Sequence, residues 1–406
     1  MVDAHPQTAQ PTAGTPGDPG TPEHPLRCML QQAAMPKFRV PFYRDLASRP
    51  GIDLKVMYGS MAIPNVESEG FERQHRVVKQ LPGGLFWDSA HMRALASERL
   101  DAISMSWNTR YLSLFPGIRR AQKRGTGVVV WGHGYSKNEG TLRKKLRMRA
   151  AQLADAVVLY TPDVAERLVE EGLPREKVFV ALNSLDQEPI QAARDATLAD
   201  RSALRAWQRE QGLDQGPVLL FVSRLYEPNK VDWLITAGKR LRDKHPGLQV
   251  VITGKGPDEE RLRAHAEAEQ AGDMVRFTGP IYEEHEIAKY FCTARAFCYP
   301  ANIGLSILHA MGYGVPVITS DKIESQNPEI IALEHGKNGL LYTHGSVNAL
   351  TEALDRVISD DELHASMSAH AHRTATERFS IERMADGMEA ALRYAAARAR
   401  ARSAGR

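Results

Sequence analysis

Ser223-Arg224 ends an apolar, strand-like run, and Lys230 follows six residues later across the turn Glu227-Pro228-Asn229. Two cations at the carboxyl end of one strand can converge on a diphosphate, the guanidinium forking two oxygens and the ammonium acting as a point charge. Two unrelated solvated cations would give the same spacing. A second candidate is Tyr299-Pro300-Ala301-Asn302-Ile303-Gly304-Leu305-Ser306-Ile307-Leu308-His309-Ala310-Met311, followed by Gly314-Val315-Pro316-Val317-Ile318-Thr319. It reads as a strand end, a small-residue turn, a short helix and another strand. Such a turn presents free backbone N–H groups to an anion at the carboxyl edge of a parallel sheet. Gly254-Lys255-Gly256-Pro257 also follows a strand-like run and gains weight only from its place among these turns. In the amino-terminal half, Val128-Val129-Val130-Trp131 leads into Gly132-His133-Gly134-Tyr135-Ser136. The Gly-flanked His133 could hydrogen-bond a hydroxyl or move a proton near neutral pH. A histidine that merely packs in a loop is the plainer alternative.

Parallel sheets must position these residues. Strands are expected at Leu54–Tyr58, Ala102–Trp107, Gly127–Trp131, Ala156–Tyr160 and Val178–Ala181. In the second half they are expected at Val218–Ser223, Gln249–Thr253, Val275–Thr278, Ala296–Tyr299 and Val315–Thr319. Amphipathic stretches such as Val231–Lys244 and Asp258–Ala271 separate them, which implies parallel sheets covered on both faces. The expected organisation is a disordered tail over 1–25, an amino-terminal domain over 26–190 and a connection over 191–215. A carboxyl-terminal domain over 216–392 and a basic tail over 393–406 complete it.

Val222-Ser-Arg-Leu-Tyr-Glu-Pro-Asn-Lys230, Thr253-Gly-Lys-Gly-Pro257, Phe277-Thr-Gly-Pro280, Gly304-Leu-Ser-Ile-Leu-His-Ala310, Gly314-Val-Pro-Val-Ile318 and Pro328-Glu-Ile330…Gly336-Lys-Asn-Gly-Leu-Leu341 occur in order. Together they resemble the nucleotide-sugar half of the retaining GT-B glycosyltransferases of group 1. The resemblance implies an α/β fold of two doubly wound Rossmann-like domains facing across a cleft. It implies transfer of a sugar from a nucleoside diphosphate sugar to an acceptor hydroxyl, with retention and without a cofactor or bound metal. The products expected are cell-surface polysaccharide, lipopolysaccharide or glycolipid. Arg224 and Lys230 match the pair that neutralises the donor diphosphate, and fixed charge there would stabilise the departing dianion. Gly254 and Gly256 match a donor-side turn, and Gly304 and Leu305 the turn whose amides approach the phosphates. Glu329 matches a donor-side carboxylate, although it could equally complement a helix dipole. His133 matches a loop histidine that faces the donor sugar.

Two positions depart from the pattern. A pair of Glu residues seven apart is usual in the family, and here they fall on Ala301 and His309. Ala301 has no side-chain hydrogen bond to offer, whereas His309 could still hold the ribose. Two rivals therefore stand beside an active transferase: a non-catalytic nucleotide-sugar-binding or assembly protein, and a sugar-epimerising enzyme on the same fold.

In place of the usual glycine-rich loop after the first strand stands Ala34-Met-Pro-Lys37-Phe-Arg39-Val-Pro-Phe-Tyr43-Arg44. Lys37, Arg39 and Tyr43 could shape an acceptor side or simply start a helix. Leu142-Arg-Lys-Lys-Leu-Arg-Met-Arg149 puts five cations on one helix, suited either to an anionic membrane surface or to plain solvation. A saccharide or lipid-linked acceptor is the expected partner and nucleic acid is not. The net charge of +3 over 406 residues argues for no polyanion. Three cysteines without ligand spacing, no membrane-length apolar run and no hydrophobic leader lead us to expect a cytoplasmic protein, peripheral at the membrane if the basic helix docks there.

Overall fold

The structure is a computed structural model and describes residues 21–60, 64–89, 99–135 and 140–405. Residues 1–20 of the expected tail, and Ser136 of the histidine loop, lie outside the described residues. The chain divides into two compact units, one formed by 1–182 with 382–406 and the other by 183–381.

The first unit contains β1 (Leu26–Gln32), β2 (Ile52–Tyr58), β3 (Glu72–His75), β4 (Val78–Leu81), β5 (Leu85–Asp88), β6 (Ala102–Ser106), β7 (Gly127–Trp131), β8 (Ala156–Leu159) and β9 (Val178–Val180). Seven of these form a parallel sheet in the order β3-β2-β1-β6-β7-β8-β9, while β4 and β5 make a separate antiparallel hairpin. The centre of the sheet is apolar on both faces: every residue of β7 and β8 is buried. A strand covered on both sides must be apolar throughout rather than alternating, which is why these two were predictable.

The second unit contains β10 (Val218–Val222), β11 (Gln249–Thr253), β12 (Val275–Gly279), β13 (Ala296–Cys298), β14 (Val317–Ser320) and β15 (Gly339–Tyr342). They pair in parallel in the order β12-β11-β10-β13-β14-β15. In both sheets the order reverses once, between β1 and β6 and between β10 and β13. These reversals are the switch points at which an open α/β sheet leaves a crevice beyond its strand ends.

Two expected boundaries are corrected. The stretch 191–215 is no loose connection. The helices Glu188–Ala199 and Arg201–Glu210 belong to the second unit and bury Ile190 and Leu204. Asp200 caps the second of them by accepting from the Ala203 amide at 2.9 Å. Nor does the second unit run to 392 with a separate basic tail behind it. The helix Ile381–Ala404 returns the chain to the first unit and buries Met384, Met388, Ala391, Leu392, Ala395 and Ala399 completely. Its alanines form a flat stripe, and a side chain on Gly127 of β7 would collide with the Ala395 carbonyl. The arginines of that tail serve the contact: Arg402 pairs with Asp155, and Arg393 donates to the Pro50 carbonyl at 3.1 Å. Among the described residues, no helix is long and apolar enough to cross a membrane.

Candidate functional site

The reversal point of the second sheet brings together two of the predicted loops. Ser223-Arg224 leaves β10, and Tyr299-Pro300-Ala301 leaves β13. Asn229 knits them together. Its amide nitrogen donates to the Arg224 carbonyl at 2.8 Å, its side-chain oxygen accepts from Asn302 at 3.1 Å, and its carbonyl accepts from the Ala301 amide at 3.2 Å. Asn229 is fully enclosed, so these bonds are shielded from water and the two loops are held as one piece. Arg224 itself is exposed, and among the described residues its side chain has no partner.

Lys230 caps the helix Val231–Leu241 in the left-handed region, with φ of 54°. That backbone costs a non-glycine residue about 1 kcal/mol or more. It is maintained by the 3-10 turn Glu227–Asn229, where the Lys230 amide donates to the Glu227 carbonyl at 3.1 Å. The ammonium pairs with Glu227 and lies 6.0 Å from the Trp233 ring.

Gln326 and Asn327 set the turn after β13. Gln326 accepts from the Ile303 amide at 2.8 Å and donates to the Ser320 carbonyl at 3.0 Å; Asn327 donates to the Asn302 and Ile303 carbonyls at 3.2 and 3.1 Å. Asn302, with φ of 63°, turns the chain in the left-handed conformation that Asn tolerates better than most residues. The next amides, of Gly304, Leu305 and Ser306, donate to no protein group among the described residues. Three N–H groups thus open beside the arginine loop. Asn229, Asn302, Gln326 and Asn327 escaped the sequence reading. Their one available signal was position, in Pro-Asn, Asn-Pro and small-residue turns.

Gly254 and Gly256 border this site for a reason other than ligand approach. A Cβ on either would run into a backbone carbonyl, of Ser223 and of Leu225 respectively. The tight contact lets the Leu225 amide donate to the Lys255 carbonyl at 3.1 Å, which fixes the backbone on either side of Arg224.

Ala301 is buried. His309 is half-buried, its Nε2 lying 2.8 Å from Glu284 and its ring 4.7 Å from Phe291. The Tyr313 hydroxyl donates to the same Glu284 oxygen at 2.5 Å; burial first, then this bond, pushes its pKa well above the usual phenol range. Glu329 is buried and accepts from Asn183.

In the first unit, His133 follows β7 and is exposed, with its ring 4.8 Å from Tyr160. Gly134 has φ of 72° and its Cβ position lies 2.6 Å from Val164, so this glycine answers a turn and a packing need. Lys37 is exposed, whereas Arg39 and Tyr43 are buried, and burial raises the Tyr43 pKa. On the helix Thr141–Leu153, Lys144 pairs with Glu171 at 2.8 Å; Arg143, Lys145 and Arg149 are exposed beside Leu142 and Leu146.

Residues 205–374 match the family model described as glycosyl transferases group 1. The matched residues lie within the second unit, and the two Rossmann-like units are those of the GT-B fold. A GDP-mannose-dependent alpha-(1-6)-phosphatidylinositol monomannoside mannosyltransferase of Mycobacterium tuberculosis is 27% identical over 322 residues, 77% of this chain and 80% of the relative. An uncharacterized glycosyltransferase of Haemophilus influenzae is 26% identical over 174 residues, 42% of this chain and 47% of its own, so the match spans about half of that relative. Anabaena Alr3699/HepE, solved in complex with UDP, superposes with a TM-score of 0.70 at 18% identity, covering 90% of this chain and 98% of the other. That likeness is one of fold.

Proposed function

We propose that the protein is a glycosyltransferase that moves a sugar from a nucleoside diphosphate sugar to an acceptor hydroxyl with retention of configuration. The products would belong to cell-surface polysaccharide, lipopolysaccharide or glycolipid synthesis. The observation that carries this reading is the Asn229 knot, which joins the Arg224–Lys230 loop to the three open amides of the 304–306 turn at a sheet reversal. In this reading the second unit holds the donor. Arg224 and Lys230 balance the diphosphate, with Lys230 exchanging Glu227 for phosphate when the donor arrives. The amides of Gly304 and Leu305 take its oxygens. Gly254 and Gly256 act from behind by fixing the arginine loop. His309 faces the ribose together with Glu284, and Glu329 lines the donor side through its Asn183-anchored carboxylate. The first unit takes a saccharide or lipid-linked acceptor, and His133 serves the reacting sugar. No cofactor or metal enters the scheme. As the acceptor oxygen bonds to the anomeric carbon and the sugar–phosphate bond breaks, the departing phosphate oxygen takes the acceptor proton, since no side chain of the scheme is placed as its base. Arg224 and Lys230 stabilise the leaving dianion. The exposed cations and leucines of Thr141–Leu153 dock the protein on the inner face of an anionic membrane.

The non-catalytic reading keeps one observation in its favour, the engagement of His309 by Glu284. Turnover separates the two. With a panel of UDP-, GDP- and ADP-sugars and mixed acceptors, the transferase reading expects release of nucleoside diphosphate, and Arg224→Ala to lower kcat/KM by about a hundredfold or more. Binding without turnover on any acceptor, or an Arg224→Ala variant within a few-fold of the parent, overturns it.

A further inference from the structure

Arg39 lies on the segment that leaves β1, within the 3-10 turn Lys37–Arg39, against Trp131 at the end of β7 and Tyr160 just after β8. It is more than nine-tenths buried, at 8% exposure. Its guanidinium carbon lies 5.3 Å from the Trp131 ring centroid, 5.4 Å from Phe38 and 5.9 Å from Tyr160. Its one hydrogen bond is from Nη1 to the Met384 sulfur at 3.2 Å, a weak acceptor. Among the described residues no carboxylate or carbonyl answers this charge. The other buried cations of the same unit are answered. Arg76 pairs with Asp88, and Lys177 donates to the Gln152 and Ala154 carbonyls. Aromatic faces soften a buried guanidinium but accept none of its strong hydrogen bonds, and here only one of its donors is engaged, weakly, by the Met384 sulfur.

Two further donors in the same nest are idle. Trp131 Nε1 is a donor only, and neither it nor the buried Tyr43 hydroxyl has a hydrogen-bond partner. Tyr43 packs on Phe42 with centroids 5.4 Å apart, and Phe42 on Trp131 at 5.6 Å. The charge of Arg39 acts on the Tyr43 hydroxyl, opposing the effect of burial on it. Tyr160, which borders the guanidinium, also carries the His133 ring.

We propose that Arg39, with Trp131 and Tyr43, forms a phosphate-binding site in the first unit, which holds a phosphate group of the acceptor next to the His133 loop. The unanswered charge of Arg39 and the donor-only Trp131 nitrogen fit an anion and oppose a cation, and the Tyr43 hydroxyl can donate to the same group. The acceptor assignment rests on the transferase reading, but the anion site does not.

The test is thermal shift and calorimetric titration with inorganic phosphate and glycerol phosphate. The variants are Arg224→Ala, in which the donor loop has lost its arginine, and Arg224→Ala/Arg39→Met, in which the guanidinium is replaced by an unbranched apolar chain. Vesicles of phosphatidylcholine with and without phosphatidylglycerol form a separate arm. We expect phosphate or glycerol phosphate to stabilise Arg224→Ala, and Arg39→Met to weaken that binding by about tenfold or more. Removing an unpaired buried charge should leave the phosphate-free melting point unchanged or higher. Arg39→Met alone should retain nucleoside diphosphate affinity. Response to glycerol phosphate but not to vesicles identifies a soluble source of the phosphate; an Arg39-dependent response to phosphatidylglycerol identifies a lipid headgroup. Equal phosphate affinity with and without Arg39, or no affinity in either variant, overturns the site even if transferase activity is found. A lower melting point for Arg39→Met with unaltered phosphate binding makes Arg39 a packing residue instead.

Discussion

Substituting Gly256 by alanine separates a glycine that meets a ligand from one that positions another residue. The new methyl group would sit about 1 Å closer to the Leu225 carbonyl oxygen than a real Cβ atom comes. The obstacle is backbone, so no side-chain rotation relieves it, and the 223–225 segment or the 254–257 turn must move. Overpacking of this kind costs about 1–3 kcal/mol, which in a unit of this size is a fall of about 5 °C in melting temperature. The functional effect should exceed the stability effect. A 1 Å displacement of a positioned group costs up to about a hundredfold in rate, and the residue displaced is Arg224. The assay is calorimetric affinity for UDP, GDP and ADP, with kcat/KM for whichever donor turns over, beside a circular-dichroism melt. Gly272→Ala is the control, because a Cβ there meets nothing within 4 Å. If Gly256→Ala keeps the parent's nucleotide affinity and rate while Gly272→Ala behaves identically, the positioning argument fails.

Three further outcomes are expected. Deleting 382–406 should leave the first unit insoluble, or molten by near-ultraviolet circular dichroism, because it uncovers the β7 face at Gly127; a native-like spectrum would refute this. His364 and His372 are held below the ordinary histidine pKa chiefly by burial, so the folded protein binds fewer protons than the unfolded chain just below pH 6.5. Their contribution is therefore complete above that pH and is lost as pH falls, and a melting point that rises on going from pH 7 to pH 5.5 would contradict it. Replacing Arg143, Lys145 and Arg149 together by Glu should abolish sedimentation with phosphatidylglycerol vesicles while leaving binding to neutral vesicles alone; equal sedimentation before and after removes the membrane proposal.

The buried middle of each sheet was legible because it must be continuously apolar: β7 and β11 fall where they were expected. The edges were not. β3 is the polar run Glu72-Arg73-Gln74-His75, largely exposed, and nothing in its pattern distinguishes it from a loop. The closing helix was misread for a different reason. Alanine carries little hydrophobic signal, yet Ala391, Ala395 and Ala399 suit a face against which Gly127 allows close approach. At the candidate site the charged residues and the small-residue turn stood out by type and order. The amides that hold them did not, since Asn and Gln in turns most often serve only their own turn. Asn229 spans two loops more than seventy residues apart in sequence, a distance at which local pattern is silent.

The return of the chain at 382 also orders events during synthesis. The second unit is an insertion within the first, so the helix that covers β7 leaves the ribosome only after about 200 further residues, roughly 10–40 s later at ordinary elongation rates. For that interval the seven-stranded sheet is complete in sequence but lacks its cover, and its apolar face is open to other nascent chains. The second unit needs nothing made after it. It can therefore fold first, reversing the usual amino-to-carboxyl order, and the first unit should be the part of this protein that depends on chaperones.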